Sequence, residues 1–181
     1  MEQDQERAII LRILEGKRDA YALLVDEYKR AIFNLAYRMT GSHEDARDLA
    51  QETFIRAYIN LKKFRTDKRF FSWLYTIALN IIKNHLKQKK HFKATAEKSS
   101  AEAQPGTAEN PETGLLQDEM TLKLQSALQA LTLEQRALII LRFYDRLSFD
   151  EIAEISRLSA SAVKMRVYRA LERLRVFMEK E

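Results

Sequence analysis

The chain has 181 residues, of which 46% are hydrophobic and 31% are charged, so it can bury one core or two small ones. It contains no cysteine, which excludes disulfides and cysteine-ligated zinc, and its three histidines lack the HExxH spacing of a zinc protease. No apolar run approaches the roughly 18 residues of a membrane span, and the amino terminus is too acidic for a signal peptide. We therefore predict a globular chain of the reducing cytoplasm, with no metal or other cofactor.

The charge changes sign along the chain. Residues 1–56 carry nine Lys/Arg and eleven Asp/Glu, whereas residues 57–90 carry nine Lys/Arg and one Asp. A second basic cluster lies at 157–175, where six Lys/Arg are opposed by one Glu. Two separated basic surfaces predict a polyanion that is contacted twice, although charge alone also fits two solvated helix faces.

Glycine and proline occur only where the hydrophobic periodicity stops, so the remainder is predicted to be helical and the fold all-α. From 91 to 116 the composition shifts to Ala, Ser, Thr, Glu, Gly and Pro and the periodicity is lost, which predicts a flexible linker. We therefore expect two small helical domains, 1–90 and 117–181, joined by this linker. The sequence makes no prediction about how the two domains pack.

The first informative helix is predicted to begin directly after Ser42, its N-cap, with Asp45 as the reciprocal capping partner, and to run through Ala46 to Tyr58. At 100° per residue, one face is apolar and consists of Ala46, Leu49, Ala50, Thr53, Phe54 and Ala57. The opposite side collects Asp45, Asp48, Gln51, Glu52 and Arg56. This second face is either solvated or a docking surface for a basic partner.

The next helix is predicted from Phe70 to about residue 90, after a basic loop at 62–69. Its predicted core face consists of Phe71, Leu74, Ile77, Ala78, Ile81 and Ile82. A polar stripe remains, formed by Ser72, Thr76, Asn80, Lys83, Asn84 and Lys87, with Trp73 at its edge. Hydroxyls and amides can bond base edges, lysines neutralise phosphates, and aromatics stack on unpaired bases. The alternative for Phe70, Trp73 and Tyr75 is that they are core aromatics.

The carboxy-terminal domain is predicted to contain a helix-turn-helix. A helix over 133–144 is followed by a short helix over 147–155, capped by Ser148 with Glu151 as its partner, and by a turn at 156–159. The last helix should bury Val163, Val167, Ala170, Leu171 and Leu174. It should expose Ser161, Lys164, Met165, Tyr168, Arg169 and Glu172. A short positioning helix before a longer basic helix is the arrangement that enters the major groove of DNA.

Both domains resemble extracytoplasmic-function sigma factors, the small subunits that direct bacterial RNA polymerase to promoters. The segments DARDLAQETFIRAY (45–58) and FFSWLYTIALNIIKNHL (70–86) resemble the second conserved domain of that family. The segment LTLEQRALIILRFYDRLSFDEIAEISRLSASAVKMRVYRALERLR (131–175) resembles its fourth domain. The resemblance implies a chain without catalytic activity that binds core RNA polymerase and promoter DNA and helps to melt the promoter. It also implies an anti-sigma partner, often membrane-bound, which would hold a cytoplasmic chain at the membrane.

When the contact residues of the family are transferred to the matching positions of this sequence, the resemblance implies three contact surfaces. The clamp helices of the polymerase would contact Asp48, Leu49, Gln51 and Glu52. The minus 10 element, read as single strand with a flipped base, would contact Lys63, Phe64, Arg65, Lys68, Arg69, Asn80, Lys83 and Asn84. The minus 35 element would contact Ser161, Lys164, Met165, Tyr168 and Arg169 in the major groove. Many relatives have Gly-Thr at 161–162 and a small polar residue at 165, so the base preference is not carried over.

Three alternatives remain open from the residues alone. A free-standing helix-turn-helix regulator would explain the carboxy-terminal domain, but not the acidic face together with the polar stripe. A helical enzyme using the carboxylates at 45, 48 and 52 would lack a nucleophile, a phosphate loop and a metal cluster. A purely structural or interaction protein would leave both basic surfaces unused.

Overall fold

The computed structural model describes residues 3–99 and 119–180, and within them the fold is all-α, as predicted. The first domain contains helices α1 (Gln3–Leu14), α2 (Tyr21–Thr40), α3 (His43–Asn60) and α4 (Phe70–Ser99). The second contains α5 (Glu119–Ala130), α6 (Leu133–Ile139), α7 (Phe149–Ser156) and α8 (Ala160–Lys180). None of the helices in these described ranges is long and apolar enough to cross a membrane.

Helix α3 shows how the local sequence builds the first domain. The Ser42 hydroxyl accepts a hydrogen bond from the Asp45 backbone N–H at 3.1 Å, which confirms the predicted N-cap. The prediction that the Asp45 carboxylate accepts a hydrogen bond from the Ser42 N–H is wrong. The Ser42 N–H donates to the Thr40 hydroxyl, and the Asp45 carboxylate pairs with Lys89 Nζ at 2.8 Å. The predicted apolar face is confirmed in full, since all six of its residues are buried.

Helix α4 packs against α2 and α3 and forms the centre of the first domain. Phe70 and Tyr75 are almost fully buried in its core face, whereas Phe71 and Ile77, two of the predicted core residues, are only half-buried. The helix continues past residue 90 to Ser99, through the first part of the predicted linker. The rest of that linker, 100–116, lies outside the described residues.

The helix-turn-helix is formed by α7 and α8, as predicted. Ser148 and Glu151 make both bonds of the capping box, with the Glu151 N–H donating to Ser148 Oγ at 3.2 Å and the Ser148 N–H donating to Glu151 Oε2 at 2.9 Å. The turn contains no glycine, so Arg157 itself adopts the left-handed conformation, with φ of 56°, that ends α7. The preceding helix α6 ends in a wider turn over Ile140–Tyr144, so the predicted helix at 133–144 is continuous.

The two domains pack together around one continuous core. Helices α2 and α4 contact α6 and α7, and the buried side chains form a single cluster that extends from Ile10 in α1 to Ala170 in α8. The guanidinium of Arg136, only 4% exposed, donates to the Leu128 carbonyl at 2.8 Å and to the Met39 carbonyl of the first domain at 2.6 Å. A buried guanidinium needs such acceptors, because its five donors leave water on folding.

Candidate nucleic-acid interface

The carboxylate-bearing side of α3 forms an exposed surface. Asp48 and Gln51 are exposed and Glu52 is half-exposed, with its carboxylate 2.5 Å from the Arg56 guanidinium. We call Asp48, Gln51 and Glu52 the acidic face. Leu49, which the resemblance placed on this surface, is 4% exposed and belongs to the core, where it supports the face from behind.

An apolar groove beside the acidic face was missed by the sequence analysis. It lies between α2 and α3, has a volume of about 660 Å³, and is lined by Tyr21, Val25, Phe33, Phe54, Ile55, Tyr58, Ile59 and the stems of polar neighbours. Ile55 and Ile59 at its edge are 51% and 69% exposed. Their spacing of four residues, on the side of α3 predicted to be polar, is the signal that could have revealed it.

The basic loop between α3 and α4 presents five cations, Lys62 among them, and hides its aromatic residue. Lys63, Arg65, Lys68 and Arg69 are exposed, and Arg65 holds the pKa of Asp67 below its usual value through a side-chain hydrogen bond. Phe64, predicted to contact DNA, is 7% exposed. Its ring lies edge-on to Phe70, with 5.7 Å between centroids, and 5.1 Å from that of Trp73. Phe64 therefore orders the loop from the core and does not present its ring to a base.

The polar stripe on α4 divides into an exposed and a covered half. Asn80 and Asn84 are exposed, whereas Lys83 is half-buried and its pKa is lowered by that burial. Ser72 is 3% exposed, and Thr76 donates a hydrogen bond to the Ile155 carbonyl of α7 at 3.3 Å. The second domain thus covers one half of the stripe and leaves the two asparagines open to solvent.

Helix α8 presents one face to solvent and the opposite one to the core. Val163, Val167 and Ala170 are buried at 0–1% exposure, as predicted, while Leu171 and Leu174 are half-buried. The five residues assigned to the minus 35 element are all exposed: Ser161, Lys164, Met165, Tyr168 and Arg169. Arg166 pairs with Glu134 at 3.4 Å and Arg173 donates to Gln135 at 2.9 Å, so α6 fixes the orientation of this face.

A carboxyl group is buried where the two domains meet. Burial raises the pKa of Asp145 from 3.8 to about 6, against the opposing effects of Arg38 and of a hydrogen bond with the Tyr75 hydroxyl. Both of these partners belong to the first domain. The Asp145 carboxyl group therefore holds its proton more tightly in the folded chain than in the unfolded chain.

The raised pKa of Asp145 predicts a pH-dependent stability. Because the folded state binds the extra proton, the free energy of unfolding should fall as the pH rises from about 4 to about 6. Asp145→Asn should remove that fall and stabilise the protein near neutral pH by up to about 3 kcal/mol. Thermal denaturation from about pH 4 to neutral pH measures both effects, with the exposed neighbour Asp150→Asn as control. An unchanged pH dependence in Asp145→Asn would contradict the assignment.

Comparison with known proteins identifies the family. The protein-family model for Sigma-70 region 2 matches residues 24–92, and the family model for Sigma-70, region 4 matches residues 121–174. The chain is 36% identical over 173 residues to the ECF RNA polymerase sigma factor SigW of Bacillus subtilis, covering 92% of each protein. This chain belongs to the extracytoplasmic-function (ECF) sigma factors. It is also similar to the ECF RNA polymerase sigma-E factor of Escherichia coli K12, with 34% identity over 178 residues, 94% of this chain and 93% of that protein.

Two solved structures share the fold of this sigma factor. CnrH, solved in complex with the cytosolic domain of CnrY, superposes with a TM-score of 0.72 at 22% identity, over 97% of both chains. The sigma factor RpoE of Bartonella quintana, solved with the anti-sigma factor NepR, gives 0.68 at 24% identity, over 88% of this chain and 96% of that one. The first domain thus corresponds to region 2 and the second to region 4.

Family membership decides among the alternatives left open by the residues. The sigma factor is a non-enzymatic initiation factor that directs transcription through promoter recognition by regions 2 and 4. The carboxylates at 45, 48 and 52 are therefore not an acid–base site. The helix-turn-helix is half of a promoter reader and not a free-standing regulator.

Proposed function

We propose that the acidic face docks on core RNA polymerase. Three observations support this: its carboxylates are exposed, its amide adds hydrogen-bonding capacity, and the apolar groove with Ile55 and Ile59 lies alongside. Apolar side chains beside charged ones are the composition of a specific protein interface, in which the apolar part supplies affinity and the charges set orientation. The groove enlarges the contact beyond the residues named by the resemblance.

The minus 10 element is read by two groups of residues in this proposal. Lys63, Arg65, Lys68, Arg69 and Lys83 neutralise phosphates and supply salt-dependent affinity. The side-chain amides of Asn80 and Asn84 are exposed on one face of α4 and hydrogen-bond the edges of unpaired bases. Phe64 acts behind this surface, by holding the loop through its contacts with Phe70 and Trp73.

The minus 35 element is read in the major groove by the exposed face of α8. The observation that carries the proposed function is this face: all five assigned side chains point to solvent while every third or fourth residue behind them is buried. Lys164 and Arg169 are the cations suited to guanine edges or phosphates, and Tyr168 and Met165 supply apolar contact area. The helix N-terminus, where the Ala162 N–H donates to Ser159 Oγ at 3.2 Å, approaches the DNA backbone first.

Removing the two cations of this face should reduce transcription. Lys164→Ala with Arg169→Ala is expected to lower run-off transcription by about 30-fold or more, since each such contact contributes roughly 1–3 kcal/mol. The measurement uses purified core polymerase and a promoter selected by the wild-type protein. Arg175→Ala, which removes an exposed cation of the same helix outside this face, is the control. Full activity of the double variant would overturn the assignment of α8.

An anti-sigma factor is the further partner we propose. Two structures of the same fold contain a bound partner. RpoE was solved with the anti-sigma factor NepR, and CnrH was solved with the cytosolic domain of CnrY. The acidic face and the apolar groove would be the surface such a partner covers, in competition with core polymerase. A membrane-bound partner would keep the sigma factor at the inner face of the membrane until released.

A further inference from the structure

Glu6 of α1 is a buried carboxylate that reaches two other helices. It is 5% exposed, and a glutamate is rarely buried to this extent unless its oxygens have partners. Oε1 accepts a hydrogen bond from the Tyr28 hydroxyl of α2, and Oε2 accepts one from the Phe70 backbone N–H at 3.3 Å. Burial, and then the hydrogen bond to Glu6, raise the pKa of the Tyr28 hydroxyl, so this group remains a donor at physiological pH. One carboxylate thus ties α1 and α2 to the beginning of α4.

The second of these bonds places the Glu6 carboxylate at the amino terminus of α4, where the neighbouring sequence supplies no cap. The Arg69 carbonyl accepts the first bond of the helix, from the Trp73 N–H at 3.4 Å, so Arg69 occupies the N-cap position. Its side chain has only donors and cannot accept a bond from the first turn. The carboxylate of Asp67, two residues earlier, is bonded by the Arg65 guanidinium at 2.8 Å. Glu6 therefore supplies, from another helix, the acceptor and the negative charge that a helix N-terminus favours.

Helix α1 supports the basic loop at both of its ends. It contacts the turn Leu61–Lys63, where the loop begins, and the start of α4, where the loop ends. Between these ends, the Phe64 ring packs edge-on against the ring of Phe70, whose backbone is bonded to Glu6. Arg69 directly precedes Phe70, so the position of the first turn of α4 determines where this cation points. The conformation of the loop therefore depends on α1.

We propose that Glu6 is a positioning residue for minus 10 recognition: by capping α4 from another helix, it holds the basic loop in the conformation that receives the single strand. This inference rests on the proposed function of the loop. A loop that is already ordered loses less conformational entropy on binding, and a surface that is competent only part of the time has a proportionally lower apparent affinity. Glu6 lies ahead of residues 24–92, which the region 2 family model matches, so the inference extends the minus 10 machinery to α1.

Glu6→Gln tests the cap with little change of side-chain volume. The neutral amide removes the charge from the α4 N-terminus, and its NH2 group turns a donor toward one of the two groups that donate to Glu6. We expect the holoenzyme to form open complexes at least about fivefold less well, which is the equivalent of one lost N-cap. Permanganate reactivity on a promoter selected by the wild-type protein measures opening. Titration with core polymerase should give the wild-type affinity.

Tyr28→Phe is the matched control, because it breaks the same buried pair from the other side. It keeps the ring contacts of Tyr28 with Phe70 and Phe71, and it leaves the carboxylate at the α4 terminus. This variant should be less stable to heat, yet the holoenzyme should open promoters as the wild type does. Normal opening by Glu6→Gln, or an equal loss of opening in both variants, would overturn the positioning role.

The single tryptophan of the chain gives a second readout, which reports on the start of α4 and not on global stability. Trp73 lies in the first turn of α4, and its ring centroid is 5.1 Å from that of Phe64. In the folded full chain, well below the denaturation midpoint, Glu6→Gln should increase the quenching of Trp73 fluorescence by acrylamide. Adding Arg69→Asn, which supplies a local N-cap, should restore the wild-type quenching, whereas adding Arg69→Ala should not. Wild-type quenching in Glu6→Gln, or equal quenching in the two double variants, would overturn the capping role.

The variant Asn80→Ala with Asn84→Ala separates this inference from the proposed function. If that variant and Glu6→Gln both open promoters normally, the proposed minus 10 contacts fail. If the asparagine variant is defective and Glu6→Gln is normal, only the positioning role of Glu6 fails.

Discussion

Reversing two charges of the acidic face, Asp48→Lys with Glu52→Lys, is expected to abolish co-elution of the sigma factor with core RNA polymerase. Both residues lie on the exposed side of α3, so the change leaves the apolar face of the helix in place. Placing like charges together at an interface costs several kcal/mol, which corresponds to an affinity at least about 100-fold lower. Titration of fluorescently labelled sigma factor with core polymerase measures it.

The control for this experiment carries the same charge change away from the acidic face. Glu15→Lys with Glu179→Lys alters two exposed carboxylates, one after α1 and one near the end of α8. This variant should retain the wild-type affinity. Equal affinity of all three proteins would contradict the docking assignment, whereas an equal loss in both variants would reduce it to an effect of net charge.

Asn80→Ala with Asn84→Ala is expected to prevent promoter opening without weakening polymerase binding. Each amide that bonds a base edge contributes about 1–3 kcal/mol, so loss of both should reduce open complexes by about 30-fold or more. Both side chains are exposed, and their removal leaves no buried polar group unpaired. Permanganate reactivity of unpaired thymines measures opening, and the polymerase titration measures binding.

Two asparagines elsewhere in region 2 provide the matched control. Asn34 lies in α2, and Asn60 ends α3, where its amide donates to the Arg56 carbonyl at 2.9 Å. Asn34→Ala with Asn60→Ala should open promoters as the wild type does. Normal opening by Asn80→Ala with Asn84→Ala would contradict the assigned role of the stripe.

The helices and their core faces could be predicted because they depend on local pattern. The six buried residues of α3 follow directly from a repeat of 3.6 residues, as do Val163, Val167 and Ala170 in α8. Ser42 and Ser148 were identified as N-caps by their position before an apolar run. Each of these features is determined within four residues along the chain.

The features that were missed depend on residues distant in sequence. Asp45 does not complete its capping box, because Lys89 reaches its carboxylate from α4. Phe64 stands in a basic loop, yet contacts with Phe70 and Trp73 bury it. Lys83 is half-buried by region 4. Hydrophobic periodicity carries no information about such neighbours, so the division of the polar stripe could only be seen in the structure.

In the proposed function, neither region needs to bind DNA tightly alone. Once polymerase holds both regions at promoter spacing, the second DNA contact benefits from a high effective concentration. In this proposal the phosphate contacts make each step dependent on salt. Promoter specificity then belongs to the holoenzyme.

Run-off transcription from a promoter library tests the central claim most directly, using purified core RNA polymerase with and without the sigma factor. The account predicts transcripts that depend on the chain and start at templates sharing a minus 35 element and a minus 10 element at fixed spacing. No stimulation of core polymerase, together with sequence-specific binding of duplex DNA by the chain alone, would contradict it.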